Sequence, residues 1–247
     1  MHQIILEGPD GSGKSTLAQS LCDDINNNVG GWKARVFREP GDSIQGLREL
    51  VLHGQATGGT GESQIPCTQA SAALFIAGMA QTAVQVQEWA GFVSAGGEIP
   101  VALRDRSILT TLIYQGFMKG GPTMVRAIWT AYRSLVDESF DQVIVMTGSH
   151  GHQGPEDHFT DLGQHRHVRH LYIALEGLLG PGRDNLDPTA RDPRLEAEMA
   201  RAMSNPDRQA FNNRFKNWLY IDKEYDAAEA AALAFIHLQR HYAWNKS

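Results

Sequence analysis

A glycine-rich run near the start of the chain constrains the fold more than any other feature. Residues 7–16 read Glu-Gly-Pro-Asp-Gly-Ser-Gly-Lys-Ser-Thr, which fills the G-x-x-x-x-G-K-[ST] spacing of a phosphate-binding loop. The apolar run 4–6 before it predicts a buried strand, and apolar residues at helical spacing over 16–25 predict a helix after it. A strand, this loop and a helix, in that order, are the setting that the motif requires.

The residue types in this loop suit a nucleoside triphosphate and its Mg²⁺. Glycines let backbone N–H groups turn inward around phosphate oxygens, and the start of the following helix favours negative charge. Lys14 is expected to reach the β- and γ-phosphates, and Ser15 is expected to hold Mg²⁺. A chance glycine-rich turn is the alternative, which the predicted strand and helix disfavour. The residues predicted to bind ATP are Gly8, Asp10, Gly11, Ser12, Gly13, Lys14, Ser15 and Thr16.

Size and charge narrow the class of protein further. The chain has 247 residues, which predicts a single domain over 1–247. Its net charge of −6, with no basic stripe, argues against a nucleic-acid partner. No apolar run reaches the length of a membrane span, and the chain opens on a predicted strand instead of a leader peptide. We therefore expect no membrane partner and a cytoplasmic location.

Short apolar runs alternate with helical patterns along the rest of the chain. Strands that alternate with helices predict an α/β protein with a parallel sheet and helices on both faces. With the phosphate-binding loop, this predicts a P-loop NTPase-type three-layer fold with five parallel strands and a lid. The four further strands are predicted at 34–38, 101–104, 142–147 and 218–221. Helices are predicted at 68–93, which should be largely buried, and at 110–117, 123–136, 162–179 and 227–241.

Three segments interrupt this pattern with polar, glycine-rich or proline-rich sequence. Residues 54–66 predict a surface loop. Residues 148–161, after the fourth strand, are the predicted lid. Residues 181–213 predict an irregular insertion with one short charged helix near 195–203.

Charged residues follow two of the predicted strands and point to a second phosphate. In open α/β sheets, ligands bind beyond the carboxyl ends of the strands. Arg106 can grip an acceptor phosphate through two hydrogen bonds, and Arg38 is a second candidate for the same phosphate. Asp105 can hold Mg²⁺ directly or through water. Two alternatives for Arg106 are an ion pair with Asp105 and the capping of a helix.

In these segments the chain resembles the thymidylate kinase family. The resemblance rests on the loop 8–16, the turn 38–41, the helical run 74–81, the run 105–116 and the closing strand 220–222. It extends over roughly residues 1–175 and 215–240. It implies transfer of the γ-phosphoryl group of ATP to thymidine monophosphate with Mg²⁺, by a homodimer whose interface includes the long helix.

The resemblance also implies roles for individual residues. It gives Asp10 a contact with the sugar hydroxyl, Phe75 a ring for the pyrimidine to stack on, and Thr111 and Gln115 polar contacts near the base. Phe75 as ordinary core, and Thr110 and Thr111 as helix caps, are the alternatives. The predicted catalytic residues are Lys14, Asp10, Arg106 and Arg38. The predicted acceptor-binding residues are Arg38, Phe75, Met79, Arg106, Thr111, Tyr114 and Gln115, and the predicted metal ligands are Ser15 and Asp105.

The chain departs from the family at the base. Gly78-Met79 stands where the family usually carries Asp-Arg, whose arginine bonds the thymine edge. Met79 shares a helix face with Phe75 and offers no hydrogen-bond donor. Either Gln81, Gln115 or a water supplies that bond, or the base is not plain thymine. The second case suggests a divergent member, such as a viral enzyme in a host cytoplasm, acting on a 5-modified deoxypyrimidine nucleotide such as 5-hydroxymethyl-dUMP.

The predicted lid is the second departure. It contains His150, His152 and His158 but no arginine or lysine, although lid arginines usually cover the transferred phosphoryl in such kinases. Arg166 and Arg169 on the following helix are the better substitutes, unless they form only an exposed helix face. Two other functions stay open from the sequence: a deoxynucleoside kinase, and a nucleotide-binding switch protein with weak turnover.

Overall fold

A five-stranded parallel sheet forms the centre of the computed structural model, which describes residues 1–9, 11–39, 68–147, 162–177, 193–221 and 225–244. The strands are β1 (His2–Glu7), β2 (Trp32–Arg38), β3 (Ile99–Asp105), β4 (Gln142–Met146) and β5 (Trp218–Ile221). Their order across the sheet is β2-β3-β1-β4-β5, and every neighbouring pair is parallel. The predicted five-stranded parallel sheet is confirmed.

Helices cover both faces of this sheet. The helices are α1 (Lys14–Asn28), α2 (Thr68–Ala95), α3 (Ile108–Thr111), α4 (Gly121–Leu135), α5 (Leu162–Gly177), α6 (Pro193–Ala202), α7 (Asn205–Arg214) and α8 (Ala227–Tyr242). A π-helical turn over Leu112–Phe117 continues α3. The predicted lid at 148–161 and the predicted loop at 54–66 lie outside the described residues.

The two sides of β1 show how the three layers hold together. Successive side chains of a strand point to opposite faces of the sheet. Ile4 and Leu6 pack in one buried cluster with residues of α1 and α8. Ile5 packs in a second cluster with residues of α2 to α5. Strand β1 is therefore packed on both faces where it leads into the glycine-rich loop.

Helix α2 is less buried than its apolar sequence predicts. Ile76, Met79 and Val86 are buried, as expected. Phe92 is 82% exposed and Val84 is 51% exposed, so the expectation of a largely buried helix is wrong for its outer face. Among the described residues, α2 packs against β3 and α4 through one side, and the opposite side carries the exposed apolar residues.

The predicted irregular insertion at 181–213 is helical over most of its described part. The short charged helix expected near 195–203 is α6, and α7 follows it unpredicted. Helix α7 starts at a cap in which the N–H of Asp207 donates to Ser204 Oγ over 3.4 Å. It buries a single aromatic residue, Phe211, whose ring centroid lies 5.3 Å from that of Trp129. With one buried apolar residue among its ten residues, the sequence of α7 shows no helical periodicity.

Within the described part of the chain, no helix is both long enough and apolar enough to cross a membrane.

Candidate functional site

The glycine-rich loop turns tightly between β1 and α1. Gly8 has φ +135° and Gly13 has φ +87°, conformations that residues with a side chain rarely adopt. A Cβ atom on Gly8 would stand 2.2 Å from the carbonyl oxygen of Met146 on β4. Only glycine lets the loop pass this close to the neighbouring strand, so the predicted loop forms with its glycines where they are required.

Lys14 is held against the loop. Its Nζ donates to the carbonyl oxygen of Pro9 over 2.5 Å and to Ser12 Oγ over 3.1 Å. The side chain is buried, yet it lines the cavity described below. The loop thus presents a positive charge together with the start of α1, which favours a bound anion.

The two predicted metal ligands meet at the carboxyl edge of the sheet. Ser15 Oγ, at the start of α1, donates to Asp105 Oδ2, at the end of β3, over 2.6 Å. A hydroxyl and a carboxylate are oxygen ligands of the kind Mg²⁺ takes beside substrate phosphates. The residues present therefore fit a magnesium ion bound between the loop and β3.

Arg106 sits in a strained turn next to this pair. Its φ is +81°, which is uncommon for a residue with a long side chain. Its N–H donates to the carbonyl oxygen of Leu6 over 3.0 Å, and its Nη1 lies 3.5 Å from Thr110 Oγ1. The capping role considered for Arg106 is wrong, because Ser107 Oγ caps α3 by accepting from the N–H of Leu109 over 3.1 Å.

One cavity of about 560 Å³ brings the phosphate-binding residues together. Both predicted cations of the acceptor side, Arg38 and Arg106, line the same cavity as Lys14 and the Ser15–Asp105 pair. The remaining lining residues are Gly11, Ser12, Gly13, Thr16, Leu17, Glu39, Met146, Tyr225, Asp226, Ala227 and Ala230. Arg38 ends β2 and Arg106 directly follows β3, and these strands are paired so that Arg38 stands opposite Asp105.

The residues predicted to contact the base do not line this cavity. Met79 and Tyr114 are buried in the cluster that contains α2 to α5, and Phe75 packs against it half-buried. Thr111 and Gln115 are also buried. Gln115 Oε1 is buried without a hydrogen-bond partner in the described structure. Their contacts with a base stay predictions.

Several predicted site residues cannot be placed in this geometry. Asp10 and the histidines of the predicted lid, His150, His152 and His158, lie outside the described residues. Arg169 lies on α5 and is half-buried, so an entirely exposed helix face does not describe it. The roles of these residues stay predictions.

Glu7 is a buried acid that the sequence did not single out. It ends β1 and accepts hydrogen bonds from Ser107 Oγ over 2.6 Å, from Thr110 Oγ1 over 2.6 Å and from Tyr172 Oη over 2.7 Å. Burial raises the pKa of this carboxyl, against the three hydroxyl donors that lower it. Thr110 therefore donates its hydroxyl hydrogen bond to Glu7, and the alternative that it caps the helix is wrong. The signal was its position directly before the loop.

A second buried acid, Glu39, follows Arg38 at the end of β2. Arg104 on β3 bonds Glu39 with one guanidinium nitrogen and Glu138 Oε1, over 2.5 Å, with the other. Burial raises the pKa of Glu39 to about 7, although the Arg104 charge opposes this shift. The triad ties together β2 and β3, whose ends carry Arg38 and Asp105. An arginine within a predicted buried strand was the sequence feature that indicated a buried partner acid.

Relatives in sequence are thymidylate kinases. The chain is 34% identical over 122 residues to the thymidylate kinase of Synechococcus sp. (strain RCC307), an alignment that covers 47% of this chain and 52% of that one. It is 36% identical over 120 residues to that of Finegoldia magna, covering 47% and 52%. A probable thymidylate kinase of Pyrococcus abyssi is 33% identical over 114 residues, covering 45% and 50%. The chain thus spans about half the length of the curated relatives it matches.

The likeness in fold extends much further along the chain. The crystal structure of thymidylate kinase from Ehrlichia chaffeensis superposes with a TM-score of 0.53 at 16% identity, covering 96% of this chain and 98% of the other. No protein-family model matches the sequence. The chain is thus similar in sequence to thymidylate kinases over about half of its length, and similar in fold to one thymidylate kinase over nearly all of it.

Proposed function

We propose that this protein transfers the γ-phosphoryl group of ATP to a deoxypyrimidine nucleoside monophosphate, which is dTMP or a 5-modified analogue. One observation carries the proposal most directly: a single cavity joins Lys14, the Ser15–Asp105 pair and the two arginines. Phosphoryl transfer needs two anionic groups held in line and their charge neutralised. Three cations and a pair of oxygen ligands that line one cavity meet that need.

On the donor side, the loop would bind the triphosphate. Backbone N–H groups at the start of α1 and the Lys14 ammonium would contact phosphate oxygens, replacing the bonds Lys14 now makes to Pro9 and Ser12. Ser15 and Asp105 would hold Mg²⁺, which neutralises charge on the β- and γ-phosphates when bound. Asp10, next to the loop glycines, is proposed to contact the acceptor sugar.

On the acceptor side, Arg38 and Arg106 would grip the monophosphate. Arg38 is exposed at the end of β2, and Arg106 follows β3, so both reach the cavity from strand ends fixed by the sheet. A guanidinium binds a phosphate with two parallel hydrogen bonds, which orients it as well as neutralising it. An enzyme acting on an unphosphorylated nucleoside has no phosphate for these arginines to hold.

The base is proposed to lie near α2 and the π-helical turn, with Phe75 stacking on it. Met79 supplies no hydrogen bond, and the buried Gln115 amide oxygen is a polar candidate on that side. Tyr114 and Thr111 would complete the surroundings of the base. Loss of the family's arginine at this position makes a 5-modified base, such as 5-hydroxymethyluracil, a specific hypothesis.

Steady-state kinetics test both parts of the proposal. With saturating Mg²⁺-ATP, ADP release is measured against dTMP, dUMP, 5-hydroxymethyl-dUMP and thymidine. Acceptor-dependent release with the monophosphates and none with thymidine supports the proposed reaction. A kcat/KM for dTMP that exceeds that for 5-hydroxymethyl-dUMP by about a hundredfold or more contradicts the modified-base hypothesis and leaves the phosphoryl transfer intact.

We also propose that the protein acts as a homodimer through the outer face of α2. The exposed Phe92 and Val84 on that face are large apolar side chains of the kind that pair across subunit interfaces. Light scattering on the purified protein should give twice the chain mass. Phe92→Glu should give monomers, whereas Ile236→Glu, an equal change at an exposed site on α8, should not.

A further inference from the structure

Glu7 is a fully buried carboxylate that accepts hydrogen bonds from the cap residue of α3, from α3 itself and from α5. Its Oε1 accepts from Ser107, and its Oε2 accepts from Thr110 and Tyr172, all within 2.6–2.7 Å. A buried acid is tolerated only where hydrogen bonds replace its water. Through these three donors, Glu7 links the end of β1 to the start of α3 and to α5.

Two of the three donors closely follow Arg106 in the chain. Ser107 follows it directly, and Thr110 lies one turn further along α3. The backbone of Arg106 has φ +81°, a conformation that persists only where its surroundings impose it. Glu7 fixes the residues that follow this strained turn, while the Leu6 carbonyl fixes the N–H of Arg106 itself. Neighbouring residues of β1 therefore hold the turn from both sides.

The same network reaches the arginine side chain. Thr110 Oγ1 donates to Glu7 over 2.6 Å and lies 3.5 Å from Arg106 Nη1. The hydroxyl thus stands between a carboxylate and a guanidinium of opposite charge. Tyr172 on α5, whose Oη is 3.4 Å from Thr110 Oγ1, fixes the hydroxyl from the far side. This arrangement limits the directions in which the guanidinium can point.

We propose that Glu7 is a positioning residue for Arg106: through Ser107 and Thr110 it sets the turn and the guanidinium that grip the acceptor phosphate. The inference rests on the proposed function, because it takes the Arg106 ligand to be the phosphate of a nucleoside monophosphate. Glu7 itself is fully buried and does not line the cavity, so it would act through the residues that it holds. A shift of about 1 Å in such a group can cost on the order of a hundredfold in rate, so positioning of this kind matters to the reaction.

A double-mutant cycle separates positioning from a general loss of stability. The dissociation constants of dTMP and of ATP are measured by calorimetry for wild type, Glu7→Gln, Arg106→Gln and the double variant. Glu7→Gln should weaken dTMP binding on the order of tenfold and change ATP binding by less than about twofold. In the Arg106→Gln background, the same change should alter dTMP binding by less than about twofold, because residues that act through one another are not additive.

If Glu7→Gln does not fold, Tyr172→Phe and Thr110→Val replace it in the same measurements of dTMP and ATP binding. Tyr132→Phe, an equal change at another buried tyrosine of the same core cluster, should leave dTMP binding unchanged. Equal weakening of ATP and dTMP binding, or full additivity with Arg106→Gln, overturns the inference.

If the wild-type protein binds no nucleoside monophosphate, the proposed function is refuted but the positioning of Arg106 by Glu7 is not. A crystal structure of Glu7→Gln then tests that positioning. The Arg106 guanidinium should then move by about 1 Å or more while the sheet is unchanged. A guanidinium left in place on Thr110 overturns the inference.

Discussion

Ser15 Oγ donates a 2.6 Å hydrogen bond to Asp105 Oδ2, joining two residues 90 positions apart in the chain. One begins the helix after the phosphate-binding loop, and the other ends the strand beside β1. Parallel strands bring their carboxyl ends to one edge, which explains why such distant residues meet. The pair places two oxygen ligands where a triphosphate bound by the loop would carry its Mg²⁺.

Replacement of Asp105 by asparagine should therefore disable the reaction more than it disturbs the fold. The change keeps the shape and the hydrogen bond from Ser15 but removes the charge that attracts Mg²⁺. We expect kcat/KM to fall on the order of a hundredfold and the Mg²⁺ concentration for half-maximal rate to rise. Rates measured across a magnesium titration check both effects.

Asp141→Asn is the matched control for that change. Asp141 lies directly before β4, at the opposite end of the sheet, where it accepts from the N–H of Gln3 over 3.1 Å. Its variant should keep the magnesium dependence of wild type. If both variants lose activity in parallel, Asp105 acts through the fold and not through the metal.

Gly8→Ala should break the loop. The added Cβ would meet the Met146 carbonyl oxygen, and the φ of +135° disfavours any side chain. We expect the free energy of unfolding to fall by more than about 2 kcal/mol and ATP binding to be lost. Gly91→Ala, in α2 with open space around it, should instead be neutral or stabilise by up to about 1 kcal/mol. Urea unfolding of the two variants distinguishes these outcomes; similar stabilities would contradict the account of the loop.

The buried triad around Arg104 predicts an unusual dependence of stability on pH. Glu39 has its pKa raised from 4.5 to about 7, so the folded protein binds this proton more tightly than the unfolded chain does. The contribution of Glu39 is then complete below about pH 4.5 and is lost as the pH rises toward 7 and above. At about 1.4 kcal/mol for each pH unit between the two pKa values, the full loss amounts to roughly 3–4 kcal/mol.

Urea unfolding of wild type and Glu39→Gln at pH 5, 6 and 7.5 tests this dependence of stability on pH. The variant lacks the titrating group, so its stability relative to wild type should improve steadily as the pH rises. A difference between the two proteins that stays constant with pH would show that Glu39 does not titrate in this range.

The strands, the loop and most helices could be predicted from the sequence because local patterns specify them. Apolar runs such as Ile4-Ile5-Leu6 mark buried strands, and the loop motif fixes where the first strand meets its helix. Ser15 and Asp105 were found because each follows a recognisable element whose end must reach the same edge of the sheet. Local spacing sufficed for these residues.

Other features depend on partners that no local pattern reveals. Glu7 is held by hydroxyls 100 to 165 positions away, and Arg104 by acids on either side of it in the chain. Such pairings are set by strand order and helix packing, and a hydroxyl-bearing residue looks the same in the sequence whether it caps a helix or serves an acid. The exposure of Phe92 also depends on tertiary packing, because the sequence of an apolar helix does not indicate which of its sides other elements will cover.

The cavity is proposed to join an ATP site to the site of an acceptor phosphate. Phosphorus NMR of a mixture of the protein, Mg²⁺, ATP and dTMP tests it most directly, because it identifies the product as well as the rate. We expect ADP and a nucleoside diphosphate to appear together in equal amounts, and neither to form when thymidine replaces dTMP. Phosphorylation of thymidine, or ADP and free phosphate formed without regard to the acceptor, would contradict the account.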